Sequence, residues 1–277
     1  MRKDGSTSLL LANQRREWIL SWVAQHGAVR VAEVVQSLGV SEMTARRDIA
    51  DLVNKGLVDR VHGGAIALQA AAIEPTFATK STQLVREKAA IATAAVTRVR
   101  PGQALALTAG STTLAVAQAL ARLPHFATLT VVTNSLPAAQ VLHEAVTSAR
   151  HDSRPHPTVM LTGGERTPSD ALVGVLSIEA FQTLRLEWVF AGAHGFDREL
   201  GLMTPNLAEA ATNAAMIRAA CTTVAVLDHT KWGIVGLRSF CAPRDLDTIV
   251  TDQPAPPDFH HALIDHNIAL EVCHDGA

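Results

Sequence analysis

Residues 31–64, VAEVVQSLGVSEMTARRDIADLVNKGLVDRVHGG, leave the chain few ways to fold. Val31, Val34, Val35 and Leu38 recur at i, i+3, i+4 and i+7, the single apolar stripe of a short helix. Gly39 follows, where a left-handed residue ends a helix. Gly39-Val40-Ser41 make the turn, and Ser41 caps a second helix whose stripe is Ala45, Ile49, Leu52 and Val53. So short a joint forces the two helices to cross steeply, the geometry of a helix-turn-helix that lays its second helix in a DNA groove.

The period of that second helix says which side chains face outward. At about 100° per residue the stripe leaves Met43, Thr44, Arg47 and Asp51 on the opposite face, with Arg46 on the flank. Arg47 is the candidate for a base edge and Arg46 for a phosphate. Asp51, four residues on, is placed to pair with Arg47. Lys55-Gly56 ends the helix, and LVDRVHGGAIAL alternates through a Gly-Gly turn, a β-hairpin wing carrying Arg60 and His62. The candidate DNA-contacting residues are therefore Ser41, Met43, Thr44, Arg46, Arg47, Arg60 and His62, and the expected partner is double-stranded DNA. An ordinary amphipathic helix with two solvated arginines would look the same over the second helix alone; the wing separates the two readings.

A first helix from Asn13 to His26, with Trp18, Ile19, Trp22 and Val23 as its buried stripe, completes a winged helix-turn-helix domain over residues 13–68. QAAAIEPTFATKSTQ, residues 69–83, contains Pro75 and shows no sustained period, so it reads as a linker. From residue 84 to 277 helices alternate with strands, among them ALALT (104–108), TVV (130–132), TVML (158–161), WVFAG (188–192) and TVAVLD (223–228). These strands are apolar runs rather than alternations, as in a parallel sheet buried on both faces. The fold class is α/β, with a Rossmann-like, doubly wound sheet in the second domain.

Charge is distributed unevenly. The whole chain carries a formal −2, yet residues 1–66 hold nine Lys/Arg against seven Asp/Glu. So small a basic excess predicts weak, salt-sensitive DNA binding by one copy, so a homo-oligomer, a dimer or tetramer, is expected. No apolar run reaches the length of a membrane span, and the leucines near the N-terminus are too few for a signal-peptide core. Cys221, Cys241 and Cys273 form neither a disulfide framework nor a zinc ribbon, which fits a reducing cytoplasm. His260, His261, His266 and His274 with Cys273 match no standard metal spacing. No metal or cofactor is expected.

In a doubly wound sheet ligands bind at the carboxyl ends of the strands, and the polar and glycine-rich motifs fall there. TAGSTT (108–113) leads from a strand into a helix, where free amides and the hydroxyls of Ser111, Thr112 and Thr113 would cradle a phosphate. An ordinary strand-to-helix turn with a hydroxyl cap reads equally well from this motif alone. It has no P-loop lysine and no GxGxxG, so a nucleotide is not implied. Four further motifs converge: VVTNS with Asn134, TGGE with Gly163 and Gly164, GAHGFD with His194 and Asp197, and DHTKWG with Asp228 and Lys231. Glu209 lies near the start of the helix at 207. With Gly110, these residues supply amide donors, a lysine for a dianion, and carboxylates and amides for hydroxyls, an inventory that suits a phosphorylated sugar.

The run SEMTARRDIADLVNKGLVDRVHGGA resembles the DNA-binding signature of the DeoR family of bacterial transcriptional regulators, with Ala45 where the family has isoleucine. The resemblance extends from about residue 13 to 252. TAGSTT, VVTNS, TGGE, GAHGFD, NLAEAATNAAMI and DHTKWG resemble its effector domain, a sugar-phosphate sensor similar in fold to ribose-5-phosphate isomerase and the CoA transferases. The resemblance implies phosphate contacts at Gly110, Ser111, Thr112, Thr113 and Lys231. It implies a repressor of a carbohydrate-use operon with a small-molecule effector, and not an enzyme. Three positions depart from the family: Thr108 and Asn213 replace an aspartate and a lysine, a joint loss expected to change the polar lining of the pocket, and Glu187 stands where Arg-x-Asp is usual. The rival is a sugar-phosphate isomerase with a DNA-binding appendage, using Asp197 or Glu209 as base. Thr108 in place of an acid, and the lack of paired carboxylates, weigh against it. A non-specific nucleoid-type binder is disfavoured by the net negative charge.

Overall fold

The computed structural model describes residues 12–26, 28–55, 57–61, 63–67, 76–149 and 156–273. The chain divides into two compact units, residues 1–70 and 71–277.

In the first unit, α1 (Ala12–His26), α2 (Val31–Leu38) and α3 (Glu42–Asn54) pack with a three-stranded antiparallel sheet of β1 (Ala28–Arg30), β2 (Val58–Val61) and β3 (Gly64–Ala67), ordered β1-β3-β2. The apolar stripes converge: Ile19, Val23, Val31, Val34, Ala45, Ile49 and Leu52 are buried with Val29, Val58 and Ala65. Gly39 takes φ 63° and ends α2, and the Ser41 hydroxyl accepts from the Thr44 amide at 3.2 Å to cap α3.

Two local expectations fail. Val61 pairs with Gly64, so the wing does not turn at a Gly-Gly pair. Gly64 belongs to β3, where a Cβ would lie 2.0 Å from the Val29 carbonyl oxygen; glycine lets β1 close onto β3. β1 itself is too short to register as a period. The second failure concerns Asp51, which does not pair with Arg47. Arg16 of α1 takes it at 3.3 Å. Beside it Arg15 forks onto Asp48, Nε to Oδ2 at 2.6 Å and Nη2 to Oδ1 at 3.2 Å, and Asp48 is only 4% exposed. A bridge between two packed elements holds its geometry better than a solvated pair one turn apart on a single helix.

The second unit opens with α4 (Phe77–Ser81), inside the stretch expected to be linker; one turn is too short to show a period. In chain order follow α5 (Val85–Val96), β4 (Ala104–Leu107), α6 (Ser111–Leu120), β5 (Thr130–Thr133), α7 (Leu136–Ala149) and β6 (Thr158–Leu161). Next come β7 (Glu165–Arg166), β8 (Leu172–Val173), α8 (Val175–Gln182), β9 (Leu186–Ala191), β10 (Gly195–Asp197) and β11 (Gly201–Thr204). The chain continues through α9 (Leu207–Ala219), β12 (Ala220–Val226), β13 (Arg238–Cys241), β14 (Thr248–Thr251), α10 (His260–Asp265) and β15 (Ala269–Val272).

Seven strands form one parallel sheet, ordered β15-β14-β12-β9-β4-β5-β6. The chain runs outward from β4 through β5 to β6, returns to β9 on the other side of β4, and continues outward. The order therefore reverses between β4 and β9, the switch point of a doubly wound sheet. Both faces are buried, as the apolar runs require. Leu105, Leu107, Val131, Phe190 and Val224 pack with α5, α6 and α7, whereas Ala106, Val132, Val189, Ala191 and Ala225 pack with α8, α9 and a smaller antiparallel sheet, β10-β11-β13. That smaller sheet and the β7–β8 hairpin fall in segments read from sequence only as loop motifs.

Among the described residues no helix is long and apolar enough to cross a membrane.

The Arg15–Asp48 bridge joins α1 to α3, so Asp48→Ala is expected to destabilise the first unit by about 3–5 kcal/mol, the cost of leaving its partner uncompensated. Replacing both residues, with Arg15→Met and Asp48→Leu, is expected to recover most of that loss. Hydrogen exchange of the α1 and α3 amides reads both outcomes.

Candidate functional site

The outward face of α3 presents Met43, Arg46 and Arg47, all exposed. Arg46 is held by Glu42 one turn back, Nη2 to Oε1 at 2.6 Å and Nε to the same oxygen at 2.9 Å. Ser41 and Thr44 share a hydroxyl contact at 2.8 Å and are engaged in the cap. With Asp51 drawn to Arg16, the ion pair expected for Arg47 is absent, and its guanidinium projects from the helix without that tether. Arg60 is exposed on β2. His62 lies outside the described residues.

In the second unit the sequence motifs line one edge of the parallel sheet. Gly110 takes φ 152° and α6 starts at Ser111 with no side chain capping it. The Thr113 hydroxyl does not face outward; it donates to the Gly110 carbonyl at 3.0 Å and is buried. Ser111 and Thr112 are the hydroxyls left beside the first-turn amides. The loops after β4 and β9 touch across the switch point. The Gly192 amide donates to the Thr108 hydroxyl at 3.0 Å, and a Cβ at Gly192 would meet the Thr113 methyl at 3.4 Å. His194 is buried just beyond, its amide bound to the Met203 carbonyl.

On the next strand ends, Asn134 is buried and donates Nδ2 to the Leu172 carbonyl at 3.1 Å; its Oδ1 is buried with no hydrogen-bond partner among the described residues. Gly163 and Gly164 follow β6, and a Cβ on Gly164 would lie 2.2 Å from the Val173 carbonyl oxygen. Gly164 is thus required by the β7–β8 hairpin whatever binds beside it. The buried Glu209 accepts from the Thr167 hydroxyl at 2.6 Å, tying the first turn of α9 to that hairpin. Asp197 is placed apart from this group, in the β10–β11 turn, where one oxygen accepts from the Glu199 and Leu200 amides at 2.9 and 2.8 Å.

The end of β12 supplies Asp228, which is buried and accepts from the Thr230 amide and hydroxyl, and Lys231, which is half-buried. Three groups here escaped the sequence reading. Lys88 of α5 is buried and donates to the Lys80 and Gln83 carbonyls, both at 2.7 Å. Burial pushes its ammonium down to about 8, against the pull of Asp228. The signal was a charge on an otherwise apolar stripe, three and four residues before the buried Ile91 and Ala92. His229 and Asp252 are the other two: the imidazole Nδ1 lies 2.6 Å from Oδ2, and the His229 amide donates to Oδ1 at 2.7 Å. They come from different strand ends, and no motif spacing links them. Among the described residues no cluster of His, Cys, Asp and Glu could hold a metal ion.

Residues 15–71 match the family described as "DeoR-like helix-turn-helix domain", and residues 83–253 that described as "DeoR C terminal sensor domain". The chain is 32% identical over 260 residues to the HTH-type transcriptional regulator GolR of Listeria innocua serovar 6a, covering 94% of this chain and 98% of that protein. It is 32% identical over 261 residues to the glycerol-3-phosphate regulon repressor of Escherichia coli, again covering 94% and 98%. Among solved structures, ribose-5-phosphate isomerase A of Methanocaldococcus jannaschii aligns with about half of each chain, 52% and 53%, at 16% identity and a TM-score of 0.36.

The His229–Asp252 pair predicts a pH response. The hydrogen bond to Asp252 raises the imidazole above 6.5; burial works to raise the Asp252 carboxyl, but the His229 contacts prevail and lower it below 3.8. The stability His229 gains is therefore fully present below pH 6.5 and lost as pH rises through its raised value. The share from Asp252 is present above pH 3.8 and lost as pH falls through its lowered value. NMR titration is expected to find His229 above 6.5, and Asp252→Asn to bring it down and flatten the alkaline loss of stability.

Proposed function

The chain belongs to the DeoR family of transcriptional regulators, and on that footing we propose that it represses a carbohydrate-use operon and is released or retuned by a phosphorylated sugar or related metabolite. A member with both domains acts on operator DNA and answers to a small-molecule effector. The observation that carries the effector chemistry is the start of α6, which no side chain caps, at the β4–β9 switch point. First-turn amides, the hydroxyls of Ser111 and Thr112, and the positive end of the helix suit a phosphate dianion. Lys231 supplies a cation on the same sheet edge, and the buried Asn134 oxygen is an acceptor for a sugar hydroxyl. The repressor named for a glycerol-3-phosphate regulon supports the same chemistry, a phosphate ester on a polyol.

The three departures divide. Glu187 accepts from the Ala104 amide at 2.7 Å, where β4 begins, so it braces the edge of the sheet opposite the effector loops. Thr108 ties the two crevice loops through Gly192. Asn213 is buried one turn beyond Glu209 on α9. Thr108 and Asn213 together remove one acid and one base from the lining, which favours an effector with fewer ionic contacts beyond its phosphate.

The regulator works in the cytoplasm as a dimer or tetramer, reading two half-sites; its cysteines and its small basic excess support this reading. Effector binding shifts a pre-existing equilibrium only by its difference in affinity between the DNA-competent and released states. Sedimentation of the full chain with and without operator duplex reads the oligomer.

Arg47→Ala is expected to lose about 1–3 kcal/mol on operator DNA and to relax base choice. Arg46→Ala is expected to weaken operator and scrambled DNA alike and to reduce the salt slope. Binding at two salt concentrations decides; equal losses for both variants on both DNAs rule the assignment out.

Thermal-shift screening is expected to select a sugar phosphate over its unphosphorylated form. Lys231→Ala and Thr112→Val are expected to abolish the effector response while leaving effector-free DNA binding intact. A best ligand without an anionic group, or normal responses in both variants, would sink the phosphate cradle.

A further inference from the structure

Met43 is 81% exposed, more than any other large apolar side chain among the described residues. It projects from the first turns of α3, opposite the buried Ala45, Ile49 and Leu52, so the unit's packing has no use for it. Its neighbours on that face are committed: Ser41 and Thr44 to the cap, Arg46 to Glu42. Arg47, one turn further on, is the side chain that shares its ridge.

The N-terminal residues of a recognition helix meet base edges in the major groove. The edges of guanine, adenine and cytosine offer hydrogen-bond donors and acceptors there. A thioether is at best a weak acceptor and cannot satisfy those groups. The apolar group on that surface is the C5-methyl of thymine. Methionine is flexible and polarisable enough to close around a methyl group. Four residues along a helix advance about 6 Å, and successive bases lie about 3.4 Å apart. We propose that Met43 is a specificity-determining residue that reads the C5-methyl group of a thymine, within about two base steps of the guanine contacted by Arg47. The assignment rests on the DNA-reading role of α3 and names the base chemistry it selects.

The test uses the full chain and a duplex selected from a random library for tightest binding. Each thymine is replaced in turn by uracil, which keeps every hydrogen-bonding atom and deletes only the methyl. At one thymine of each half-site the replacement is expected to weaken the wild-type protein about three- to fivefold, the worth of about one buried methyl. The same replacement leaves the affinity of Met43→Ala unchanged. Met43→Gln is expected to move the preference at that position toward adenine. Met43 is exposed, so both variants should melt at the wild-type temperature. Uracil tolerated at every position by the wild type, or costing the same with and without Met43, overturns the proposal. Loss of selective binding in Arg47→Ala alongside either result keeps the DNA-reading role of α3 and removes only the methyl contact. Failure to enrich any duplex removes both.

Discussion

A parallel sheet sends the carboxyl end of every strand to the same edge, and the second unit is organised by that constraint. Segments from 108–113, 134, 162–164, 192–194 and 228–231 become neighbours because their strands all run one way. The strand order reverses between β4 and β9 at that edge, the switch point of the sheet. The loops on either side are tied by the Gly192 amide and the Thr108 hydroxyl. Glu187 bonds the first residue of β4 at the other end of the same strand pair. The β4–β9 pair is thus braced at both of its ends, next to the uncapped start of α6.

The first unit solves a different problem. Its core is small, and its recognition helix must hold charged side chains outward. Arg15 and Arg16 of α1 engage Asp48 and Asp51 of α3. Drawing Asp51 away leaves Arg47 untethered, while Glu42 fixes Arg46 beside it. The two adjacent arginines therefore meet DNA differently, one held by Glu42 and one without the ion pair its own helix offered. A local spacing rule applied to α3 alone could not see this, because the deciding residues come from another helix.

What the sequence made legible was periodic or chemically distinctive. The three helices of the first unit, all seven strands of the main sheet and the strand-end placement of the glycine-rich motifs follow from apolar spacing and turn residues. The elements missed are short, as β1, α4 and the β7–β8 hairpin are, or are polar-edged strands packed as a second layer, as β10, β11 and β13 are. Among the site residues, Thr113 and Asp197 looked like ligand contacts because hydroxyls and carboxylates do. Their partners, the Gly110 carbonyl and the Glu199 and Leu200 amides, are backbone groups that composition does not reveal. Lys88 showed only as a charge on an apolar stripe, and the His229–Asp252 pair needed three dimensions.

The strands that meet at the switch point are far apart along the chain: Thr108 and Gly192, which tie their loops, are separated by 84 residues. During synthesis β4 can pair with β5 and β6 early, but its other edge stays open until β9 leaves the ribosome. At ordinary translation rates that interval is on the order of 4–17 s. The first unit has a core drawn entirely from residues 18–65 and is complete before β4 is made. Each newly made chain therefore passes through a period in which its first unit is complete and its β4–β9 pairing is not. Long-range parallel pairing of this kind is intrinsically slow, so the open edge of β4 is the last part of that strand to be covered.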